Sequence, residues 1–452
     1  MKIIIAGDGK IGSTLTKQLS QEGYDITLID SNNRVLETSE EQYDIMVVQG
    51  NCASMEVLER AGVKDADLLI AVAGDDEINL LSSIIAHGMN PKIHTISRIR
   101  NPEYTKQIYE MRNLFSLSLS VNPEKQTAIE IDRLLKYPGF LKRDTFAKGR
   151  VEIVEVQVEE GMNICNKPLS AISGIAKCKV LVCAVLRAGR AAAPDGNFVL
   201  KDKDRIFVTA TANNLTILLK NLGIITHKIK NVIICGGGRV SFYLAYLLIN
   251  NGISVKIIEQ NYERCLQLAD MLPQANIIHG DATNEFLLKS EGIMDCDALV
   301  TTTGVDEMNM FISLYGKNCG VSKVITKLGR LENNTILDKL SLGSTISPRL
   351  LCCNTISRYV RALKNQEGSA VSVHIIADGQ AEAIEFVADD NTMFLNTPLK
   401  EIKLKKNVLI VCITHGIKTE IPNGESSYQT GDTVIVVTSG DKVIYQLNDI
   451  FE

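Results

Sequence analysis

The chain has 452 residues, enough for two to four domains at roughly 100–200 residues each. It is 45% hydrophobic and 22% charged, as in ordinary soluble globular proteins, and its formal net charge of −5 gives no basic surface for nucleic acid. No apolar run approaches the roughly 20 residues that cross a bilayer, and the apolar stretch in MKIIIAGDG is too short for a signal-peptide core, so a cytoplasmic chain is expected.

The first lobe, expected over 1–122, alternates apolar runs with helical patterns. The runs IIIAG, ITLID, IMVVQG, LLIAVAG and KIHTIS read as strands of a parallel sheet covered on both faces. After the first turn, Ile11, Leu15 and Leu19 recur at helical spacing, which predicts a helix packed on that sheet. A helical linker is expected over 123–142, opened by a proline, then a small β-rich α+β lobe over 143–227 with a PDG turn. The order then repeats: a second parallel-sheet lobe over 228–350, a linker over 351–369 and a second small lobe over 370–452 with a PNG turn.

The repeat is explicit in the residues. KIIIAGDGKIG aligns with NVIICGGGRVS, ITLID with VKIIE, QGNCAS with HGDATN, and DADLLIAVAGDDEIN with DCDALVTTTGVDEMN, all at an offset of 229 or 230 residues. The small lobes align as well, NKPLSAI with NTPLKEI. The fold class is therefore α/β: two Rossmann-like, doubly wound parallel-sheet lobes, each followed by a small α+β lobe, in tandem duplication.

Gly7, Gly9 and Gly12, with Asp8, Lys10 and Ile11 between them, follow a strand and open a helix. In that context the first glycine permits the tight turn, the second lets the backbone approach a pyrophosphate, and the third lets helix and strand pack closely. The helix N-terminus then offers free N–H groups to phosphate. Asp30 ends the second strand, where a carboxylate accepts hydrogen bonds from ribose hydroxyls and repels a 2′-phosphate, disfavouring NADP. Repeat two carries Gly236, Gly237, Gly238, Arg239, Val240 and Glu259 in these places, with Ser241 for the third glycine.

Further candidates lie at the carboxyl ends of later strands: Asn51, Cys52, Ala73, Gly74 and Glu77 in repeat one, and Asp281, Ala282, Thr303, Gly304 and Glu307 in repeat two. Arg98 and Arg100 follow the fifth strand, where they could clamp phosphates; Lys327 or Arg330 could substitute in repeat two. The bland alternatives are a packing turn, helix-terminal acids and solvated arginines. The eleven cysteines contain no C-x-x-C pair and mostly sit in apolar runs, so neither a metal site nor a disulfide is expected.

GDGKIG, the strand-end Asp30, the GNCAS and GDATN segments, the DADLLIAV stretch with DDEIN, and SRIRNPEY resemble RCK domains, regulators of K⁺ conductance. Two complete units in one chain resemble the TrkA family of cytosolic regulatory subunits from bacterial Trk potassium uptake systems. The resemblance implies NAD(H) or ATP/ADP in the larger lobes and no catalytic residues. It also implies a homotetramer presenting a ring of eight RCK units, and a TrkH-like membrane K⁺ transporter as partner, which would hold the chain peripherally on the inner membrane face. Two other readings stay open. An NAD-dependent oxidoreductase would need a general acid or base near the nicotinamide. Of the six histidines only His279 lies at a candidate ligand edge, and repeat one has Gln49 there. A ligand-free Rossmann-like scaffold is the other.

Overall fold

In the computed structural model the described residues are 1–452 apart from 112–114, 137–138, 193, 223–227, 330–339, 341, 365–369, 378–379, 440–443 and 445. The first lobe runs β1 (Lys2–Ala6), α1 (Lys10–Gln21), β2 (Asp25–Asp30), α2 (Asn33–Gln42), β3 (Met46–Gln49), α3 (Met55–Arg60), β4 (Leu68–Ala71), α4 (Asp76–Met89), β5 (His94–Arg98), α5 (Pro102–Met111) and β6 (Leu119–Val121). Helix α6 (Pro123–Lys136) leads to a small lobe of β7 (Lys142–Phe146), β8 (Val151–Gln157), α7 (Ile172–Ala176), β9 (Leu181–Arg187), β10 (Arg190–Ala192), β11 (Arg205–Thr211) and α8 (Ala212–Asn221).

The second half repeats this order. Its larger lobe runs β12 (Asn231–Cys235), α9 (Arg239–Asn250), β13 (Ser254–Glu259), α10 (Tyr262–Met271), β14 (Asn276–His279), α11 (Glu285–Ser290), β15 (Ala298–Thr301), α12 (Asp306–Asn318), β16 (Lys323–Lys327) and β17 (Ser344–Ile346). Helix α13 (Pro348–Lys364) then leads to β18 (Ala370–Ile376), β19 (Ala381–Val387), β20 (Val408–His415), β21 (Lys418–Glu420) and β22 (Thr433–Thr438).

Both larger sheets are parallel, with strand orders β3-β2-β1-β4-β5-β6 and β14-β13-β12-β15-β16-β17. This is the doubly wound order whose switch point, between the first and fourth strands, opens a crevice at the carboxyl edge. The small lobes are antiparallel, β10-β9-β11-β8-β7 and β18-β19-β22-β20-β21, which is one order read in opposite directions. The expected duplication therefore extends to topology. The sixth strand of each larger sheet goes beyond the five apolar runs read in repeat one. β6 and β17 are only three residues long and half polar, so they produce no apolar run.

The core follows the expected periodicity. Ile11, Leu15 and Leu19 of α1 are buried, as are Val240, Leu244 and Leu248 of α9. Burying one such side chain stabilises the fold by about 1.5–3 kcal/mol. All eleven cysteines behave as small core side chains or pack against a core: Cys183 and Cys412 share a buried cluster, and no group of ligating residues that could hold a metal is found among the described residues.

The chain forms two compact units, one of Met1–Ala128 with Ser347–Val360, the other of Ile129–Ile346 with Arg361–Glu452. The connecting helices thus cross between the halves: α13 up to Val360 belongs with the first lobe, and α6 passes into the second unit after Ala128. In the first unit, α13 packs on the first lobe: Cys352 and Cys353 are buried, and the Tyr359 hydroxyl lies 3.3 Å from His94 Nδ1. In the second unit, Asn251 Nδ2 donates to Asp132 Oδ1 of α6 at 3.1 Å, and the buried Lys323 ammonium donates to the Phe140 carbonyl at 2.6 Å. The second unit also contains both small lobes. Their sheets share one apolar cluster that includes Phe146, Ile153 and Phe207 from one and Ala383, Val411 and Ile435 from the other.

Candidate functional site

Each larger lobe builds the same turn between its first strand and first helix. Gly7 and Gly236 have φ of +106° and +104°, which an L side chain rarely adopts. A Cβ on either would also meet backbone of the loop after the fourth strand, 2.7 Å from Ala73 N or 2.9 Å from Thr303 N. Gly9 and Gly238 are extended N-caps with open space above them, and no side chain caps α1 or α9. Backbone N–H groups at both helix starts therefore face outward without a side-chain partner, beside Lys10 or Arg239. Ile11 and Val240 turn into the core, so only their backbone is available to a ligand.

The strand-end acids hold these turns. Asp30 Oδ2 accepts from Asp8 N at 2.7 Å and Oδ1 from Asn32 N at 2.8 Å. Glu259 does the same with Gly237 N and, at 2.7 Å, with Asn261 N. Each carboxylate keeps lone pairs able to accept further hydrogen bonds.

The third glycine differs between the lobes. At Gly12 a Cβ would lie 1.8 Å from the Gly7 carbonyl oxygen. Ser241 occupies the equivalent position, where the second turn accommodates a Cβ, and its hydroxyl donates to the Gly236 carbonyl at 2.5 Å and pairs with Thr302 Oγ1 at 2.8 Å.

A second difference lies four residues earlier. Asp8 is buried and its Oδ2 accepts from Ser39 Oγ at 2.7 Å. Burial pushes its carboxyl above the usual range; the Ser39 bond opposes this and the nearby Asp30 charge adds to it. Repeat two has Gly237 and Leu268 at these positions. Beside Gly237 lies a cavity of about 430 Å³, lined also by Gly238, Glu259, Asn261, Glu263, Arg264 and Gln267. Arg264 closes one side, its Nε donating to the Gly237 carbonyl at 2.8 Å.

The remaining expected residues fall into two groups. Asn51 and Asp281 differ in charge but do the same local work, accepting from Ala53 N at 2.9 Å and from Thr283 N at 2.8 Å. The Cys52 side chain is buried and receives the Ser82 hydroxyl at 3.3 Å; burial pushes its thiol up. Cys52 and the buried Ala282 therefore line the core and can offer a ligand only backbone.

At the loop after the fourth strand, Arg98 donates to the Ala73 carbonyl at 2.5 Å, and Arg100 donates to the Gly74 carbonyl while lying 3.6 Å from Asp76. Both guanidinium groups are thus gathered at the sheet's carboxyl edge beside the turn. Glu77 accepts from the Tyr104 hydroxyl at 2.7 Å, which holds its carboxyl below the usual range. In repeat two Glu307 is exposed, the Thr303 hydroxyl donates within its own loop to the Val305 carbonyl at 3.1 Å, and Gly304 is open above. Lys327 donates to the Thr302 carbonyl at 3.1 Å; Arg330 lies outside the described residues.

Two residue pairs that hold these edges were not among the expected ones. Asn79 accepts from Ala73 N at 2.8 Å and donates to the carbonyls of Ala73 and Arg98; Asn309 does the same with Thr303 and Lys327. Asp76 accepts from Arg100 N and Asn101 N at 2.8 Å, and Asp306 accepts from Gly329 N at 2.8 Å. The signal was present in the repeat, since DEIN and DEMN share these acids and amides.

With this geometry in place, comparison with known proteins is decisive. The TrkA-N domain model matches residues 3–114 and 232–348, and the TrkA-C domain model matches 153–223. A Trk system potassium uptake protein TrkA homolog from Archaeoglobus fulgidus is 31% identical over 453 residues, covering 100% of both chains. The chain belongs to the TrkA family. A TrkA protein from Haemophilus influenzae is 30% identical, covering 100% of this chain and 99% of that one. Among solved structures, the GsuK RCK domain shares the fold with a TM-score of 0.60 at 18% identity, covering 97% of this chain and 92% of that one. The GsuK channel bound to NAD also superimposes with a TM-score of 0.60, at 18% identity, over 97% of this chain and 77% of that one. As a TrkA-family chain, this protein falls among potassium-uptake proteins and not among the dehydrogenases that share its glycine turns.

Proposed function

We propose that this chain is the peripheral regulatory subunit of a Trk-type potassium uptake system, binding NAD(H), ATP or ADP in its larger lobes and gating a TrkH-like membrane K⁺ transporter. The observation that carries this reading is the end-to-end relationship to Trk system potassium uptake proteins at about 30% identity. The site geometry supports the nucleotide: in both lobes a strand-end carboxylate, a glycine turn and an uncapped helix N-terminus converge at the carboxyl edge of the sheet. Asp30 and Glu259 suit an unmodified ribose. No helix among the described residues is long and apolar enough to cross a membrane, so the membrane role is assigned to a partner. Two RCK units per chain make four chains the natural complement of a ring of eight.

Gating then follows from population shift. A nucleotide moves the assembly only by binding one conformation better than another, and a coupling of about 1–3 kcal/mol gives a 5–150-fold change. The test is K⁺ flux through the reconstituted transporter with and without this chain and each nucleotide. The proposal expects flux to change with nucleotide only when the chain is present. Flux that is the same in every condition would overturn it.

A further inference from the structure

The two nucleotide sites differ most beside the strand-end acid. In the second lobe the cavity next to Gly237 has about 430 Å³, a size typical of small-molecule sites. Gly237 lines it with backbone alone, and the space a Cβ would take there is filled by Leu268 at 2.7 Å and Glu259 at 2.9 Å. One wall is the guanidinium of Arg264, half-buried and fixed at two points. Nε donates to the Gly237 carbonyl at 2.8 Å, and Nη1 donates to Gln267 Oε1 at 3.0 Å. Both bonds lie in the guanidinium plane, so they leave its faces available.

The first lobe differs at both of these positions. Its equivalent of Gly237 is Asp8, whose carboxylate turns into the interior toward Ser39, and its equivalent of Arg264 is the aliphatic Val35. A nucleotide with its phosphates on the glycine turn and its ribose on Glu259 must place its base beside that acid, along the start of α10. Arg264 projects from that first turn. A planar cation held in one orientation is a stacking surface for a purine.

We propose that Arg264 is the base-recognising residue of the second lobe, stacking on the adenine ring of a bound nucleotide, and that the first lobe has no counterpart. This rests on the nucleotide reading of the second lobe. Burial and the nearby Arg239 disfavour the guanidinium charge and Glu259 supports it, while the bonds to Gly237 and Gln267 set its plane before a ligand arrives. The second site therefore selects the base, whereas the first selects mainly the ribose.

The experiment is calorimetric titration of the full chain carrying Asp30→Ala, so that the second lobe is read alone, with AMP and with ribose 5-phosphate. Adding Arg264→Val, the residue the first lobe already uses at this position, is expected to weaken AMP about 5–30-fold, the range of a partly desolvated cation–π contact. Ribose 5-phosphate should change less than about twofold on the same scale. Arg264→Lys keeps the charge without the plane, and should lose AMP affinity nearly as much as the valine. Equal losses for both ligands, or full rescue by lysine, would overturn the proposal and make Arg264 a general electrostatic anchor. If the Asp30→Ala chain binds neither ligand, the nucleotide reading of the second lobe fails and this inference falls with it.

Discussion

Gly12→Ala is the substitution for which the structure gives the sharpest expectation. The added carbon would sit 1.8 Å from the Gly7 carbonyl oxygen and 2.9 Å from its carbon, where ordinary contact begins near 3.4 Å. The neighbours are backbone, so nothing can rotate away; β1 and α1 must separate by more than an ångström. Such overpacking costs about 1–3 kcal/mol and occasionally more, and a rigid backbone neighbour argues for the upper end. In a unit of this size about 3 kcal/mol lowers the melting temperature by roughly 6–12 °C. The displaced turn also loses its fit to a pyrophosphate. Differential scanning calorimetry with and without NADH reads both effects. At a hundredfold excess over Kd, ligand should stabilise the wild-type unit by about 2.7 kcal/mol, and the variant should lose most of that. If Gly12→Ala melts within about 2 °C of wild type and keeps its NADH shift, the close approach does not constrain this turn. Ser241→Gly is the matched control: it removes two hydroxyl bonds, one of them to the Gly236 carbonyl, and creates no clash, so a loss of about 1 kcal/mol is expected.

Other substitutions probe separate parts of the account. Asp30→Ala removes the acceptor of two turn N–H groups as well as the ribose acceptor, so it should abolish nucleotide binding in the first lobe while leaving the second intact in isothermal titration. Asn79→Ala leaves Ala73 N and two carbonyls without their partner and should cost about 2–3 kcal/mol by urea denaturation, with Asn309→Ala costing a similar amount. Glu130 gives a pH dependence. Burial pushes its carboxyl up to about 7, outweighing the nearby Arg133. The folded state therefore keeps its proton where the unfolded state, near the usual carboxylate value, has lost it. Stability should fall as pH rises from about 4.5 to 7 and level off above, by about 3 kcal/mol in all. Glu130→Gln should flatten that slope, and an unchanged slope would assign it to other groups.

The parts of this protein that could be read from sequence are those set by local physics. Gly7 needs a positive φ, Asp30 must reach back to the turn, and Ile11, Leu15 and Leu19 must face the sheet. Each requirement leaves a residue type at a fixed spacing, and the duplication prints it twice. Strand β6 was not legible because three residues pairing with β5 carry no pattern of their own. Asn79 and Asp76 sit at an ordinary helix start in the sequence, since their role lies in bonds to backbone 19–25 residues ahead. The crossing of α6 and α13 between the halves was hidden for a different reason: an apolar helix face states that it is buried, not by which half.

The comparison of the halves also changes the weight of two substitutions. Asn51 against Asp281 reads as a change of charge, yet both side chains accept the same type of backbone bond. Asp8 against Gly237 lies between glycines, yet it decides whether the space beneath the turn holds a buried carboxylate bonded to Ser39 or the side chain of Leu268.

Native mass spectrometry of the purified chain tests the central claim most directly, because one spectrum reports both ligand and assembly. The account predicts four chains together, with mass increments of an adenine nucleotide that diminish in Asp30→Ala and disappear when Glu259→Ala is added. A chain that takes up no NADH, ATP or ADP under these conditions would contradict it.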